Sequence, residues 1–192
     1  QCRDFVFVAD VARANLLAHE QEAANSVKAR FENQVAEVER ALFISRASVR
    51  QGLDALGDPG AFNRLLIPIL QQHDIINAMR LANESGREIL LSKTPTGWQN
   101  RIVDVARRGF QQRRLEWRDA NTLVGEQSVV ETYDPRQQPW FLGAMATPEN
   151  LVHWTDPYAF QFSGEPGFAV STRWTDALSG EQWILSCSVP LL

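Results

Sequence analysis

The chain has 192 residues, 44% hydrophobic and 22% charged, enough to bury a core and ordinary enough to be globular, so one domain with an appended helix is expected. Its formal net charge is -4 with basic residues spread along the sequence, which excludes the electrostatic footprint of a nucleic-acid binder. No apolar run approaches the roughly 20 residues that span a bilayer, and no basic start with an apolar middle marks a signal peptide. The opening "QCRDFVFVAD" lacks an initiator methionine, and the expectation is a piece cut from something longer upstream.

From Val11 to about Arg50 there is neither glycine nor proline, and Ala, Glu, Gln and Arg abound, which predicts one long helix. Its apolar positions Val27, Phe31, Val35, Val38 and Leu42, then Ser45 and Val49, recur at the three-four spacing of a single stripe. That stripe serves either a partner helix or the chain's own sheet. About forty residues at 1.5 Å each make roughly 60 Å, so part of this helix is expected to project. "GLDALGDPG" breaks it, and "AFNRLLIPILQQ" predicts a shorter helix kinked or ended by Pro68.

Beyond His73 the period changes. "IINAMRLAN" and "REILLSK" read as strands joined by the tight turn "ESG", with Gly86 available for positive φ. "WQNRIVDV" and "FQQRRLEWRD" are further strands, the second with imperfect alternation. "FLGAMAT" suits one or two helical turns, and "LVHWTDPYAF" a strand entering a proline-bearing turn. "GFAVSTRWTD", "ALSG" and "EQWILSCSVPLL" form a closing hairpin. The fold class is α+β: a long N-terminal helix plus an antiparallel sheet flanked by short helices.

The chemistry of the chain is sparse. His19, His73 and His153 have no metal-ligand spacing, and Cys2 and Cys187 give neither a metal site nor a disulfide framework. Cys187, inside "WILSCSV", reads as a small buried hydrophobe, and His153 beside Trp154 as a structural hydrogen-bonder. No GxSxG elbow, Walker loop or GxGxxG is present. Asp134 and Asp156 could pair as acid and base in a hydrolase, but an aspartate before proline is first a turn former. No catalytic residue, metal or cofactor is expected.

The stretch "YDPRQQPWF" concentrates rings, prolines and polar groups in one connection. Pro135 and Pro139 stiffen the backbone, so Tyr133, Trp140 and Phe141 are held in place before a ligand arrives, lowering the entropic cost of binding. Such rings either wall a small-molecule pocket or are plain core. The pocket reading requires an opening beside the sheet.

"YDPRQQPWF", "HWTDPY" and the closing "SGEQWILSCSVPL" together resemble the Cache family, PAS-like extracytoplasmic sensor domains of bacterial transmembrane receptors, in particular the membrane-distal module of a double Cache domain. The resemblance implies residues 1–58 as a signalling and dimerisation helix with its break, and residues 59–192 as the sensor module. It implies a small-molecule sensor of a chemoreceptor, histidine kinase or nucleotide cyclase, on the periplasmic or extracellular face, reaching the membrane only through flanking segments. A homodimer through the first helix is part of that expectation; nucleic acid is not.

By the same resemblance Tyr133, Trp140, Phe141 and Tyr158 line the pocket, while Trp154 and Asp156 shape a turn and Arg136 supports structure. The amino-acid-sensing branch has an arginine before the second proline of the loop and an aspartate on the closing strand; this chain has Gln138 and Ser188. A neutral amide cannot replace an arginine fork on a carboxylate, nor a serine neutralise an ammonium. The expected ligand is therefore a metabolite, organic acid or amine, with a free amino acid disfavoured. The alternatives are a structural or dimerisation module without ligand, or a small hydrolase.

Overall fold

A computed structural model describes residues 2–51 and 57–191. The expected helix break falls largely in residues 52–56, outside the described residues, as do the surroundings of the Cys2 side chain. Two compact units divide the chain at Glu37 and Val38. Helix α1 spans Cys2–Gln51. The absence of glycine and proline that predicted it extends back to Cys2, so it begins earlier than the composition alone suggested.

In the first unit most of the described side chains are exposed. Val27 and Phe31 are 66% and 61% exposed, and Lys28 lies 3.8 Å from Glu32 one turn on. His19 is exposed, 3.9 Å from Glu22.

The second unit begins with the remaining α1 residues, where Val38, Leu42, Ser45 and Val49 are buried. The stripe seen in sequence therefore divides: its C-terminal half packs on the sheet, while Val27 and Phe31 in its N-terminal half are exposed. Helix α2 (Pro59–Gln72) starts where Asp58 accepts from Gly60 N at 2.9 Å, with Pro59 in the first turn, as an N-cap requires. Pro68 does not end it. The proline is exposed, and Leu66, Ile67 and Leu70 around it are buried, so packing outweighs the lost backbone bond.

The sheet is antiparallel throughout, in the order β5-β4-β3-β2-β1-β9-β8-β6, with β7 also on β8. Its strands are β1 (Ala78–Asn83), β2 (Arg87–Thr94), β3 (Gly97–Asp104), β4 (Gln111–Trp117), β5 (Leu123–Val130), β6 (Val152–Trp154), β7 (Tyr158–Ala159), β8 (Pro166–Thr175) and β9 (Gln182–Pro190). The first five meander, and β9 closes beside β1. Gly86 has φ 84 in the β1–β2 turn, the conformation only glycine adopts freely. Helix α3 (Val105–Arg108) is a single turn, and α4 (Pro139–Ala146) follows a 3-10 turn at Pro135–Gln137.

Strand alternation separates two cores. Met79, Leu81, Ile89, Leu91, Val170, Trp174, Leu185 and Cys187 pack with α1 and α2 residues. Burial pushes the Cys187 thiol pKa up, keeping it protonated. On the opposite face Ala82, Ala169 and Ile184 meet Trp140, Phe141 and Ala144 of α4. Here the aromatic loop lies.

Candidate functional site

Asp134 builds the loop's entry. It caps the 3-10 turn by accepting from Arg136 N at 2.9 Å and takes the Arg136 guanidinium at 2.7 Å, which holds its carboxyl below the usual range. Arg136 is thereby paired within its own loop. Asp156 is exposed. Gln138 bonds to its own loop: its Nε2 donates to Asp134 O at 3.3 Å.

Tyr133 is buried and latched to the floor. Its hydroxyl donates to Glu88 on β2, and its ring lies 3.9 Å from the Arg101 guanidinium carbon. Arg101, on β3, donates to Glu88 Oε1 from Nε at 3.2 Å and from Nη2 at 2.8 Å. Burial pushes the Tyr133 pKa up, and the Glu88 charge adds to that, so the phenol stays a neutral donor. For Arg101 burial alone would lower the pKa, but Glu88 and Tyr133 outweigh it and the net shift is upward.

The remaining nominated residues meet around Arg80, which the sequence reading did not single out. Arg80 sits mid-strand on β1, opposite Ser186 of β9 and Leu90 of β2. It is buried and donates to the Ser188 hydroxyl diagonally across the strand pair. Its guanidinium carbon lies 5.1 Å from the Trp140 ring centre and 5.5 Å from that of Phe162, a cation held between aromatic faces.

Arg80 and Phe162 thus lie beside the rings, where the opening was expected. Trp140 meets Phe141 edge-on at 5.6 Å, Tyr158 meets Phe160 at 5.4 Å, and Phe160 stacks on Phe162 at 5.5 Å. Tyr158 titrates above the ordinary tyrosine range, chiefly through burial, and lies within the field of Arg80. Trp140 Nε1, Ser186 Oγ and Arg80 Nε are buried with no hydrogen-bond partner among protein atoms, and Tyr158 Oη has none beyond the Arg80 guanidinium. The sequence signal for Arg80 was a lone charge inside the apolar strand "AMRLAN".

A separate cleft of about 400 Å³ lies between Thr94, Trp98, Gln99, Glu116, Trp117 and Arg118. It contains none of the nominated residues. Among the described residues, no group of three or more His, Cys, Asp or Glu is placed to hold a metal ion.

No protein-family model matches the chain, and no curated protein matches it. Solved structures do. The ligand-binding domain of Mlp24 with asparagine aligns at TM-score 0.56 and 15% identity, covering 89% of this chain and 55% of that one. The ligand-binding domain of the Pseudomonas fluorescens chemoreceptor CtaA with L-alanine aligns at 0.51 and 16%, covering 92% and 59%. That of the Campylobacter jejuni chemoreceptor Tlp3 with 4-methylisoleucine aligns at 0.50 and 13%, covering 86% and 52%.

This chain shares its fold with these ligand-binding domains. It spans about half the length of the solved domains it matches. One expectation is overturned: solved domains of the same fold hold asparagine and L-alanine, so the departures at Gln138 and Ser188 are no ground for disfavouring a free amino acid. The physical ground of that expectation was incomplete, because it weighed only the loop and the closing strand and left out Arg80, a buried guanidinium beside the Trp140 ring. Among the described residues no helix is long and apolar enough to cross a membrane.

Proposed function

We propose that this chain is an extracytoplasmic small-molecule-sensing domain of a bacterial transmembrane receptor, binding its ligand between the sheet and the aromatic loop. One observation carries the reading: Trp140 Nε1, Ser186 Oγ and Arg80 Nε are buried without a hydrogen-bond partner, with Ser186 opposite Arg80 and the Trp140 ring 5.1 Å from its guanidinium. Unpaired buried polar groups cost about 1–3 kcal/mol each, and a ligand that pairs with them recovers that cost. The Cache-type fold supports the same reading, and free amino acids belong to the candidate ligands. Trp140, Phe141, Tyr158 and Ser188 surround the ligand; Tyr133 and Gln138 hold the loop that presents it.

Signal leaves through β6. His153 packs its ring against Gly143 of α4, while the adjacent Trp154 donates from Nε1 to Glu39 of α1 at 2.9 Å. Arg46 of α1 also donates to Thr172 of β8 at 3.1 Å. A ligand that moves α4 therefore biases the α1 segment beginning at Val38, to the extent that it binds the two arrangements with different affinity. In this reading residues 1–58 carry signal and dimerisation and residues 59–192 sense.

The test is a thermal-shift panel of amino acids, organic acids and amines, followed by calorimetry. Binders that stabilise wild type and fail on Trp140→Ala support sensing. No stabilisation by any compound would favour a purely structural module.

A further inference from the structure

We infer that Arg80 is the anion anchor of this site, so that the ligand is a small carboxylate held from strand β1 rather than from the loop. The inference rests on the ligand-sensing reading above. Burying an ion costs several kcal/mol unless a counter-charge repays it. Three arginines of the sheet illustrate the contrast. Along one row, Arg80 stands opposite Leu90, Leu90 opposite Arg101, and Arg101 opposite Arg114. Arg101 has Glu88 at 2.8 Å and Arg114 has Glu131 at 2.7 Å. Arg80, as buried as Arg101, has no carboxylate within 4.0 Å among the described residues; its neighbours are the Ser188 hydroxyl, the Tyr158 phenol and two rings.

What surrounds Arg80 can donate. Its own Nε, Trp140 Nε1 and Ser186 Oγ are unpartnered, and Tyr158 Oη has no partner beyond the guanidinium itself. The first two only donate, and the hydroxyls can. An ion with two acceptor oxygens fits that set, because a guanidinium offers a carboxylate two parallel charge-assisted bonds. Gln138 faces its own loop backbone, so the charge that the loop does not supply comes from the floor of the site. Phe162, half-exposed and lying over the guanidinium, is the group such a ligand displaces.

Amino acids and amine-free acids share this carboxylate, and calorimetry on the full chain separates them. The probes are the proteinogenic amino acids, a series of small mono- and dicarboxylates, and the amides of whichever bind. The expected result is that at least one carboxylate binds, that its amide does not, and that Arg80→Gln lowers affinity roughly 100-fold or more, as truncating a buried charged partner does. If only amino acids bind, the anchor serves a zwitterion; if amine-free acids also bind, the carboxylate suffices.

Removing an uncompensated buried charge should also leave the ligand-free melting temperature unchanged or raise it. A large drop, or outright misfolding of Arg80→Gln, would make Arg80 a structural group and overturn the inference. So would an amide binding as well as its acid, or an Arg80→Gln variant of undiminished affinity. Binding of uncharged or cationic metabolites alone sinks the anchor and leaves the sensor standing; binding of nothing sinks both.

Discussion

The Tyr133 hydroxyl donates to Glu88 Oε2 at 2.5 Å, and Glu88 Oε1 takes both nitrogens of Arg101. One carboxylate thus ties the aromatic loop to two strands. Tyr133→Phe leaves Glu88 Oε2 unpaired in a dry site and is expected to cost about 1–3 kcal/mol. Glu88→Ala leaves the Arg101 charge buried without its partner and is expected to cost more, about 3–5 kcal/mol. Urea denaturation compares them, and equal losses would contradict the latch.

Asp134 makes acid stability sensitive to the loop. Its folded pKa is depressed, by the Arg136 side-chain hydrogen bonds first and the Arg136 backbone N–H next, against burial. A depressed carboxylate stabilises above its unfolded value, about 3.9, and loses that contribution as pH falls through the folded value. Because the Arg136 side chain is substantially exposed, most of the effect belongs to the cap rather than the ion pair. Asp134→Ala, which removes the cap, should cost about 1 kcal/mol at pH 7, with the gap to wild type narrowing below about pH 4. Melts from pH 3 to 7 check this.

Gly143 reverses the helix-propensity rule. Alanine would favour α4 by about 1 kcal/mol on propensity, yet its Cβ would fall 1.9 Å from His153 Nε2. Overpacking of about 1–3 kcal/mol should win. Gly143→Ala is expected to destabilise alone and much less beside His153→Ala, a coupling a double-mutant cycle measures.

Trp154→Phe removes the donor to Glu39 without touching the ligand face. Ligand affinity should be unchanged, while ligand-dependent hydrogen exchange in α1 residues 38–51 should weaken. Exchange identical to wild type would rule out β6 as the link.

Val27 and Phe31, more than half exposed on α1, form an apolar stripe that the proposed dimer would cover. Sedimentation at increasing concentration should reveal association, and Val27→Asp with Phe31→Asp should abolish it. A wild-type chain that stays monomeric throughout contradicts the dimer.

Local chemistry was legible. Gly86 and Gly180 stand at φ 84 and 71 in the turns where the sequence placed them, and Pro139 opens α4 as a first-turn proline. Strand β5 was not legible, because it is exposed along nearly its whole length and lacks an alternating apolar face. Pro68 misled because a local helix breaker was outweighed by buried neighbours on either side.

The sequence by itself determined the helices, the hairpins and the stiffened aromatic loop, since propensity, turn geometry and period act between residues close along the chain. Only the tertiary structure decided which polar groups face that loop. Arg80 meets Ser188 across 108 residues, through a strand register set by burial of the whole sheet. A charged residue within an apolar strand carries no local sign of whether its counter-charge will be supplied by the fold, as for Arg101, or left for a ligand, as for Arg80.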